Sequence, residues 1–405
     1  MKRVVVTGIG IVSSIGNNRN EVLDSLKNQR SGIEFNQEYA DLGFRSHICG
    51  TIKANIKDLV PRKQLRFMGD GSAYSYISMA ESIEDADLSE EDLASEKTGL
   101  IIGSGVASGA PLVEMADTLR NKGARKVNPF YVPKIMSSCN AANLATAFKI
   151  RGYSYTISSA CATSGHCLGN AYQLIQAGEQ DLIFIGGGDE LSWVVSIAFD
   201  SMGALSSNFN DNPQSASRAY DRDRDGFVVS GGGGTIVLEE YERAKARGAK
   251  IYCEVTGYGI SSDGDDMVRP SGEGAERCMK MALKTVDGPI DYLNAHGTST
   301  PAGDITELTA INNVFSGNGQ LPHISSTKSL TGHSLGAAGV HESIYCILMM
   351  ENDFICPSVN IENLDPEADG YPIVLEPMNN HSLNSVISNS FGFGGTNCSL
   401  VFSKI

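Results

Sequence analysis

Cys161 lies in a setting that is typical of a catalytic nucleophile. The small residues Ser158, Ser159 and Ala160 separate it from a predicted strand, and Cys161 is predicted to open a helix. Small residues let the backbone turn sharply at such a junction and expose the side chain. The positive end of a helix favours the thiolate, so we predict a lowered pKa for Cys161. A single cysteine is nevertheless more often a buried core residue.

An internal repeat distinguishes Cys161 from an ordinary cysteine. Residues 157–169 (ISSACATSGHCLG) align without gaps with residues 324–336 (ISSTKSLTGHSLG), and seven of the thirteen positions are identical. A shorter match pairs VTGIG near the N-terminus with VTGYG in the second half. The longer alignment places Lys328 at the position that Cys161 has in the first copy. We therefore predict a duplicated unit in which Cys161 and Lys328 face one another across a pseudo-twofold axis.

Two histidines of the second half could complete a site. His296 follows a predicted strand, and His333 lies at the start of a predicted helix rich in small residues. Two neutral imidazoles can donate hydrogen bonds to an enolate oxygen that forms from a thioester. Attack of a cysteine thiolate on a thioester gives an acyl-enzyme and ping-pong kinetics. His166, five residues after Cys161, is predicted to face away from it and to have a structural role.

Each half of the chain alternates strand-like and helix-like segments, which is typical of βα units in a mixed or parallel sheet. The predicted strands are 3–6, 98–102, 154–157, 181–185 and 234–238, then 251–255, 290–294, 323–325, 385–388 and 397–402. Amphipathic helices are predicted at 166–177 and 342–350. The fold class is α/β and layered. A charged, helix-like linker at 239–250 divides the chain into a first half, 1–250, and a second half, 251–405.

Composition narrows the function classes. The chain has 405 residues and a formal net charge of −15, which argues against nucleic acid as a partner because phosphate binding needs a basic face. The nine cysteines form no CxxC pair, and no signal peptide is recognisable, so we predict free thiols and a cytoplasmic location. No apolar stretch approaches the length of a membrane span, so membrane insertion is not expected.

Other motifs do not fit the sites that they imitate. Residues 221–226 (DRDRDG) begin like a calcium loop, but the twelfth position is Gly232 rather than Glu. The glycine run 231–234 lacks the Gly-Lys-Ser/Thr of a phosphate loop. Gly8 and Gly10 lack the third glycine of a dinucleotide-binding turn. The predicted chemistry requires no metal.

Four sequence blocks together resemble the active-site blocks of the β-ketoacyl-[acyl-carrier-protein] synthases. They are, in order, SSACATSGHCLGNA, NAHGTSTPAGD, STKSLTGHSLGAAG and SNSFGFGGTN. The resemblance runs essentially from end to end, and GSGVASG, FIGGGDELSW and SGEGAERCMKMAL are closer to type I than to type II. It implies a thiolase-like, five-layered αβαβα fold, a homodimer, and fatty acid chain elongation by decarboxylative condensation. It implies no cofactor of the enzyme itself, because the substrates carry phosphopantetheine on an acyl carrier protein.

The resemblance also implies roles for the candidate catalytic residues. Cys161 matches the acylated nucleophile, and His296 and His333 match the histidines that assist decarboxylation of the malonyl thioester. Lys328 resembles the supporting lysine that orders the site. Glu307 resembles the carboxylate that partners this lysine.

Further residues match binding positions of the family. The backbone N–H groups of Cys161 and Phe393 match the oxyanion hole, and the Phe393 side chain matches an aromatic gate. Thr298 and Thr300 match residues that bind the pantetheine arm. The basic residues that match the carrier-docking surface are Arg62, Lys63 and Arg66, with Lys122, Arg125 and Lys126. A solvated basic helix face is the alternative interpretation of these charges. Two additional residues in the loop 317–319 are the one departure from the family pattern.

Three alternatives remain open at this stage. A thiolase would need a second cysteine in the C-terminal glycine block, where Cys398 lies slightly beyond residues 391–396. A silent subunit of a condensing heterodimer would lack the nucleophile, which is intact here. A cysteine hydrolase would need one histidine held by Asn or Asp, and the second imidazole would then have no role.

Overall fold

A computed structural model describes residues 1–318 and 321–405. Its strands are β1 Val4–Val12, β2 Ile33–Phe35, β3 Ile48–Gly50, β4 Thr98–Gly103, β5 Ser154–Tyr155, β6 Leu182–Asp189, β7 Gly232–Glu240, β8 Cys253–Ser262, β9 Tyr292–Asn294, β10 His323–Ser325, β11 Phe354–Ile355, β12 Met378–Asn379, β13 Ser385–Gly392 and β14 Thr396–Ser403. Its α-helices are α1 Arg19–Lys27, α2 Gln37–Asp41, α3 Ile56–Leu59, α4 Arg62–Leu65, α5 Asp70–Asp85, α6 Glu90–Leu93, α7 Gly109–Lys122, α8 Tyr131–Ile135, α9 Cys139–Phe148, α10 Thr163–Gln176, α11 Trp193–Ser201, α12 Tyr241–Ala246, α13 Glu273–Ala282, α14 Pro301–Phe315, α15 Lys328–Thr331 and α16 Ala338–Glu351.

The two halves of the main sheet have the same strand order. The ten strands follow the order β10-β9-β13-β14-β8-β1-β7-β6-β4-β5. Within each half the third, second, fourth, fifth and first strands are neighbours, and the two first strands, β1 and β8, meet in the middle through Val5↔Glu254 and Val6↔Cys253. The pairing directions also agree, since the second strand is parallel to the third and fourth while the fifth is antiparallel to its neighbours. This symmetry is the structural counterpart of the sequence repeat.

The short VTGxG match has a specific structural meaning. The β1–β7 register skips Thr7 and the β8–β14 register skips Thr256, so both copies carry a bulge at the same residue of the motif. A Cβ at Gly10 would meet the Ser78 carbonyl oxygen of α5 at 2.0 Å, and one at Gly259 would meet the Cys278 carbonyl oxygen of α13 at 1.9 Å. Only glycine lets these outer helices pack so closely on the sheet.

Five layers follow from the positions of the helices. Helices α10 and α16 contact each other and contact strands of both halves, so they form a central layer. Helix α5 covers β1, β6 and β7 from outside, and α13 covers β8 and β14. The central helices are almost completely buried, and their apolar side chains belong to the largest core cluster. The α/β, five-layered fold expected from the resemblance is confirmed.

The predicted elements are largely confirmed, with corrections at their ends. Each of the ten predicted strands overlaps a strand of the main sheet. The predicted linker 239–250 is wrong in its first part, because β7 extends to Glu240 and only Tyr241–Ala246 is helical. Among the described residues no helix is both long and apolar enough to cross a bilayer. The predicted insertion at 317–319 includes Gly319, which lies outside the described residues.

Candidate active site

Cys161 lies on a strained turn between β5 and α10. Ala160 has a φ of +49°, in the left-handed region that non-glycine residues rarely adopt, and α10 begins at Thr163. The prediction that Cys161 opens the helix is therefore wrong by two residues, but the sharp turn is present. A Cβ at Gly392 would meet the Ser159 carbonyl oxygen at 3.0 Å and the Cys161 nitrogen at 3.1 Å. The glycine block that precedes Phe393 thus packs directly on the cysteine turn.

The resting form of Cys161 differs from the sequence prediction. Burial raises the pKa of its thiol to about 12, although the Lys328 ammonium and the backbone N–H groups of Phe393 and Cys161 oppose this shift. The predicted lowering of the pKa is wrong, because the helix end and the ammonium do not offset the loss of hydration. The thiol is protonated at rest. The same two N–H groups act on the sulfur and lower its pKa, and their use as an oxyanion hole stays a prediction.

The two predicted histidines lie beside the sulfur and beside each other. The His333 Nε2 is 3.0 Å from the Cys161 Sγ, and the His296 and His333 ring centroids are 5.3 Å apart at an interplanar angle of 87°. Burial and the Lys328 charge hold the pKa of both imidazoles well below the usual value of 6.5. Both rings are therefore neutral at physiological pH. Within residues 1–318 and 321–405, neither Nδ1 atom has a hydrogen-bond partner.

Lys328 is a buried cation whose salt bridge is with Glu342. The two side chains are 2% and 3% exposed and form a direct ion pair. The prediction that Glu307 is the partner of this lysine is wrong. Glu307 instead accepts hydrogen bonds from the backbone N–H groups of His296 and Gly297, at 2.9 and 2.8 Å. Its carboxylate thus holds the backbone of the histidine loop.

Glu342 is the site residue that sequence reasoning missed. It was predicted only as the first residue of an amphipathic helix, yet it lies inside α16, where every residue from Ala338 to Met350 is buried. Burial raises the pKa of this carboxyl, and the Lys328 ammonium lowers it. A lone acid in an otherwise apolar helix is costly unless it is paired, and that was the available signal.

His166 has the structural role that the sequence predicted. Its Nδ1 is 2.6 Å from the Ser159 Oγ and its Nε2 is 3.2 Å from the Asn397 carbonyl oxygen. It therefore connects the turn before Cys161 to β14. Cys398, the residue that a thiolase would use, is 1% exposed on β14. It is absent from the cavity lining described next.

A cavity of about 260 Å³ connects the reactive groups. Its lining is mostly apolar and includes Cys161, His296, His333, Thr298, Thr300, Phe199, Phe227, Met267 and Phe393. The hydroxyl oxygens of Thr298 and Thr300 are 3.1 Å apart. The Phe393 side chain is 38% exposed, so it lies between the cavity and solvent. The structure thus brings every predicted catalytic and pantetheine-binding residue to one place, either in the lining or directly behind it.

The predicted docking residues form two exposed basic clusters that share one surface. Arg62, Lys63 and Arg66 are exposed at α4, and Lys122, Arg125 and Lys126 are exposed at the end of α7 and the turn after it. Phe67 and Phe130 join the two segments, with ring centroids 5.0 Å apart. The Arg66 guanidinium lies over both rings, at 4.6 and 5.1 Å.

Comparisons with known proteins give consistent matches. The family model described as "Beta-ketoacyl synthase, N-terminal domain" matches residues 1–244, and "Beta-ketoacyl synthase, C-terminal domain" matches residues 252–362. The chain is 57% identical to "3-oxoacyl-[acyl-carrier-protein] synthase 1" of Haemophilus influenzae, over 100% of this chain and 99% of the relative. It is equally similar, at 57%, to the protein of the same name from Escherichia coli K12, over 100% of both. The chain is 39% identical to "3-oxoacyl-[acyl-carrier-protein] synthase 2" of Rhizobium meliloti, over 100% of this chain and 99% of the relative.

Solved structures show the same similarity. A β-ketoacyl synthase from Burkholderia phymatum STM815 superimposes with a TM-score of 0.93 at 35% identity, over 100% of both chains. The structure "AntDE:AntF (apo): type II PKS acyl-carrier protein in complex with its ketosynthase bound to the hexaketide" superimposes with a TM-score of 0.91 at 29% identity, over 100% of this chain and 99% of that one.

Proposed function

The chain belongs to the β-ketoacyl synthase family, and from this premise we propose that it elongates acyl chains as a 3-oxoacyl-[acyl-carrier-protein] synthase of type I. The reaction is the decarboxylative condensation of a malonyl group, held on an acyl carrier protein, with an acyl group held on Cys161. The observation that carries the proposal is the contact of the His333 Nε2 with the Cys161 Sγ at 3.0 Å, beside a second neutral histidine. The 57% identity to synthase 1, against 39% to synthase 2, favours type I over type II.

The first step transfers the acyl group to Cys161. The sulfur attacks the thioester carbonyl, the bond from carbonyl carbon to carrier sulfur breaks, and the cysteine proton passes to the departing carrier thiol. Because the resting thiol is neutral, the Lys328 charge and the N–H groups of Cys161 and Phe393 must stabilise the negative charge as it develops.

The second step generates the carbon nucleophile. Malonyl thioester loses its carboxylate as carbon dioxide, and the electron pair of the broken C–C bond becomes an enolate at the thioester. His296 and His333 are neutral, so each can donate one N–H to the enolate oxygen without prior protonation. The enolate carbon then attacks the acyl carbonyl, and the Cys161 sulfur leaves as a thiolate and takes up one proton from solvent. No metal or cofactor of the enzyme enters these steps.

The alternatives fit the observed geometry less well. A cysteine hydrolase would require an Asn or Asp partner for its histidine, and in the described part of the chain the Nδ1 atoms of His296 and His333 have none. Cys398 is buried away from the cavity lining, so it cannot act as the second cysteine of a thiolase. The reactive cysteine is in place, unlike in a silent subunit.

Carrier recognition is assigned to the two basic clusters, which are Arg62, Lys63 and Arg66, and Lys122, Arg125 and Lys126. Because screening at physiological salt reaches only about 8 Å, local basic charge can attract an acidic carrier despite the net charge of −15. The related ketosynthase described in complex with an acyl carrier protein supports this kind of partner.

We also propose a homodimer and a cytoplasmic location. Every residue of helix α7 is at least partly exposed, and its Leu112 and Leu119 are about half exposed. Strand β5 is an edge strand of the main sheet. Both features favour association with a second copy. All nine cysteines are free thiols, which suits a reducing compartment. Light scattering of the purified protein tests the dimer.

The experiment that tests the function uses purified carrier substrates. Incubation with acyl-carrier protein should add the mass of the acyl group to the peptide that contains Cys161. Addition of malonyl-carrier protein should then remove that mass and yield a 3-oxoacyl-carrier product two carbons longer. Absence of the covalent intermediate under conditions that give product would overturn the proposed mechanism. A series of saturated and cis-unsaturated acyl chains in the same assay defines the chain-length preference.

A further inference from the structure

The turn 297–301 carries Thr298 and Thr300, and its backbone is strained. Ser299 between them has a φ of +70° and is completely buried. Gly297, at the start of the turn, has a φ of +29°. Non-glycine residues hold such conformations only where surrounding contacts enforce them. The question is therefore which residue enforces this turn.

The Gly226 N–H donates to the Ser299 carbonyl oxygen at 3.1 Å and the Arg218 N–H donates to the Ser299 Oγ at 3.0 Å. Arg224 makes the contacts with the next two residues of the turn. Its Nε donates to the Thr300 carbonyl oxygen at 3.2 Å, and its Nη2 donates to the Pro301 carbonyl oxygen at 2.8 Å. One planar guanidinium thus donates hydrogen bonds to two successive carbonyl groups. The side chain is 2% exposed, so these hydrogen bonds form away from solvent. A lysine ammonium, which is a compact point charge, cannot reproduce this bidentate geometry.

Two carboxylates hold the guanidinium in turn. The Asp304 Oδ2 is 3.2 Å from the Arg224 Nε, and the Asp365 Oδ2 is 2.7 Å from its Nη1. The Asp304 Oδ1 also accepts the N–H of Ser299 at 3.1 Å. The network therefore contacts the backbone of the turn at Ser299 as well as at Thr300 and Pro301. Neither the guanidinium nor either carboxylate lines the catalytic cavity.

We infer that Arg224 is a positioning residue that holds Thr298 and Thr300 in the geometry for binding the pantetheine arm. The inference rests on the proposed function, which assigns these threonines to that arm. Arg224 does not touch the arm itself and acts through the backbone of the turn. Loosening the turn should therefore weaken substrate binding more than it slows the chemical steps.

The test compares Arg224→Lys, Thr300→Ala and the double variant by steady-state kinetics with malonyl-carrier protein. Arg224→Lys should raise KM by about three- to tenfold, the effect of a lost or weakened hydrogen bond, and leave kcat within about twofold. The rate at which iodoacetamide alkylates Cys161 should not change, since that reagent has no arm. The double variant should raise KM by less than the product of the two single effects, because part of the effect of Arg224 passes through Thr300.

Two further variants keep the test decisive. Arg247→Lys alters an equally polar arginine that holds Glu239 and the Ala86 carbonyl far from the cavity, and it should not change KM. If Arg224→Lys does not fold, Asp365→Asn loosens the same guanidinium and should raise KM less, in the same direction.

The outcomes separate the inference from the proposed function. An unchanged KM for Thr300→Ala would contradict the assignment of Thr300 to binding of the pantetheine arm. A raised KM for Thr300→Ala with an unchanged KM for Arg224→Lys would overturn the inference alone. Multiplicative effects in the double variant, or an equal effect of Arg247→Lys, would overturn it as well.

Discussion

Replacement of His296 by alanine isolates the decarboxylation step. His296 forms no hydrogen bond to the Cys161 sulfur, whereas His333 does, at 3.0 Å. The imidazole of His296 therefore has one expected task, which is to donate an N–H to the enolate oxygen. Removal of one such donor in a water-poor site typically costs about 10²–10³ in rate, or about 2.7–4 kcal/mol of transition-state stabilisation. We expect a loss of this size in the release of labelled carbon dioxide from malonyl-carrier protein.

Acyl transfer provides the internal comparison for this variant. His296→Ala should still accept an acyl group on Cys161, measured by mass spectrometry, within about tenfold of the unaltered rate. The half-buried control His381→Ala, which lies outside the cavity, should be normal in both assays. Normal release of carbon dioxide by His296→Ala would refute the assignment. Equal loss of acyl transfer and decarboxylation would show that the substitution had disrupted the whole site.

The pH profile follows from the direction of the histidine pKa shifts. Burial lowers the pKa of His296 and His333 well below 6.5, so protonation of either ring occurs only at a pH below the ordinary value. Decarboxylation at saturating substrate should therefore show no loss with a midpoint near 6.5 as the pH falls from about 8 to about 6. A titration centred at the ordinary histidine value would contradict the buried, neutral state of both rings.

Three further variants test other parts of the site. Cys161→Ala should abolish elongation while leaving thermal unfolding close to that of the unaltered protein, and retained condensation would refute its role as nucleophile. Lys63→Glu combined with Arg66→Glu should raise KM for carrier-linked substrates, most at low salt, and an unchanged KM would argue against this docking surface. Glu342→Gln should lower the free energy of unfolding by about 3 kcal/mol in a denaturant titration, because it leaves the buried Lys328 ammonium without its counter-charge.

Matched variants control the last two experiments. Lys245→Glu combined with Lys284→Glu makes the same charge change at exposed residues outside both basic clusters, and KM should not change. Glu254→Gln breaks an ion pair with Arg3, whose side chain is 47% exposed, and should cost less than about 1 kcal/mol. A larger loss for Glu254→Gln than for Glu342→Gln would contradict the argument from burial.

The sequence by itself determined which residues could react and which strands carry them. Its repeat placed Cys161 opposite Lys328, and the structure joins the two halves of the sheet with identical strand orders. The small residues around Cys161 also predicted the sharp turn. These features are local, because backbone conformation and side-chain periodicity depend on neighbours along the chain.

Only the tertiary structure decided the electrostatics of the site. The direction of the Cys161 pKa shift depends on how completely packing removes water from the sulfur, and the local helix signal predicted the wrong sign. The partner of Lys328 is Glu342 rather than Glu307, although all three are buried close together. Burial and the distances between charges are set by segments far apart in the chain. The residue types next to each charged group in the sequence therefore do not determine its burial or its distances to other charges.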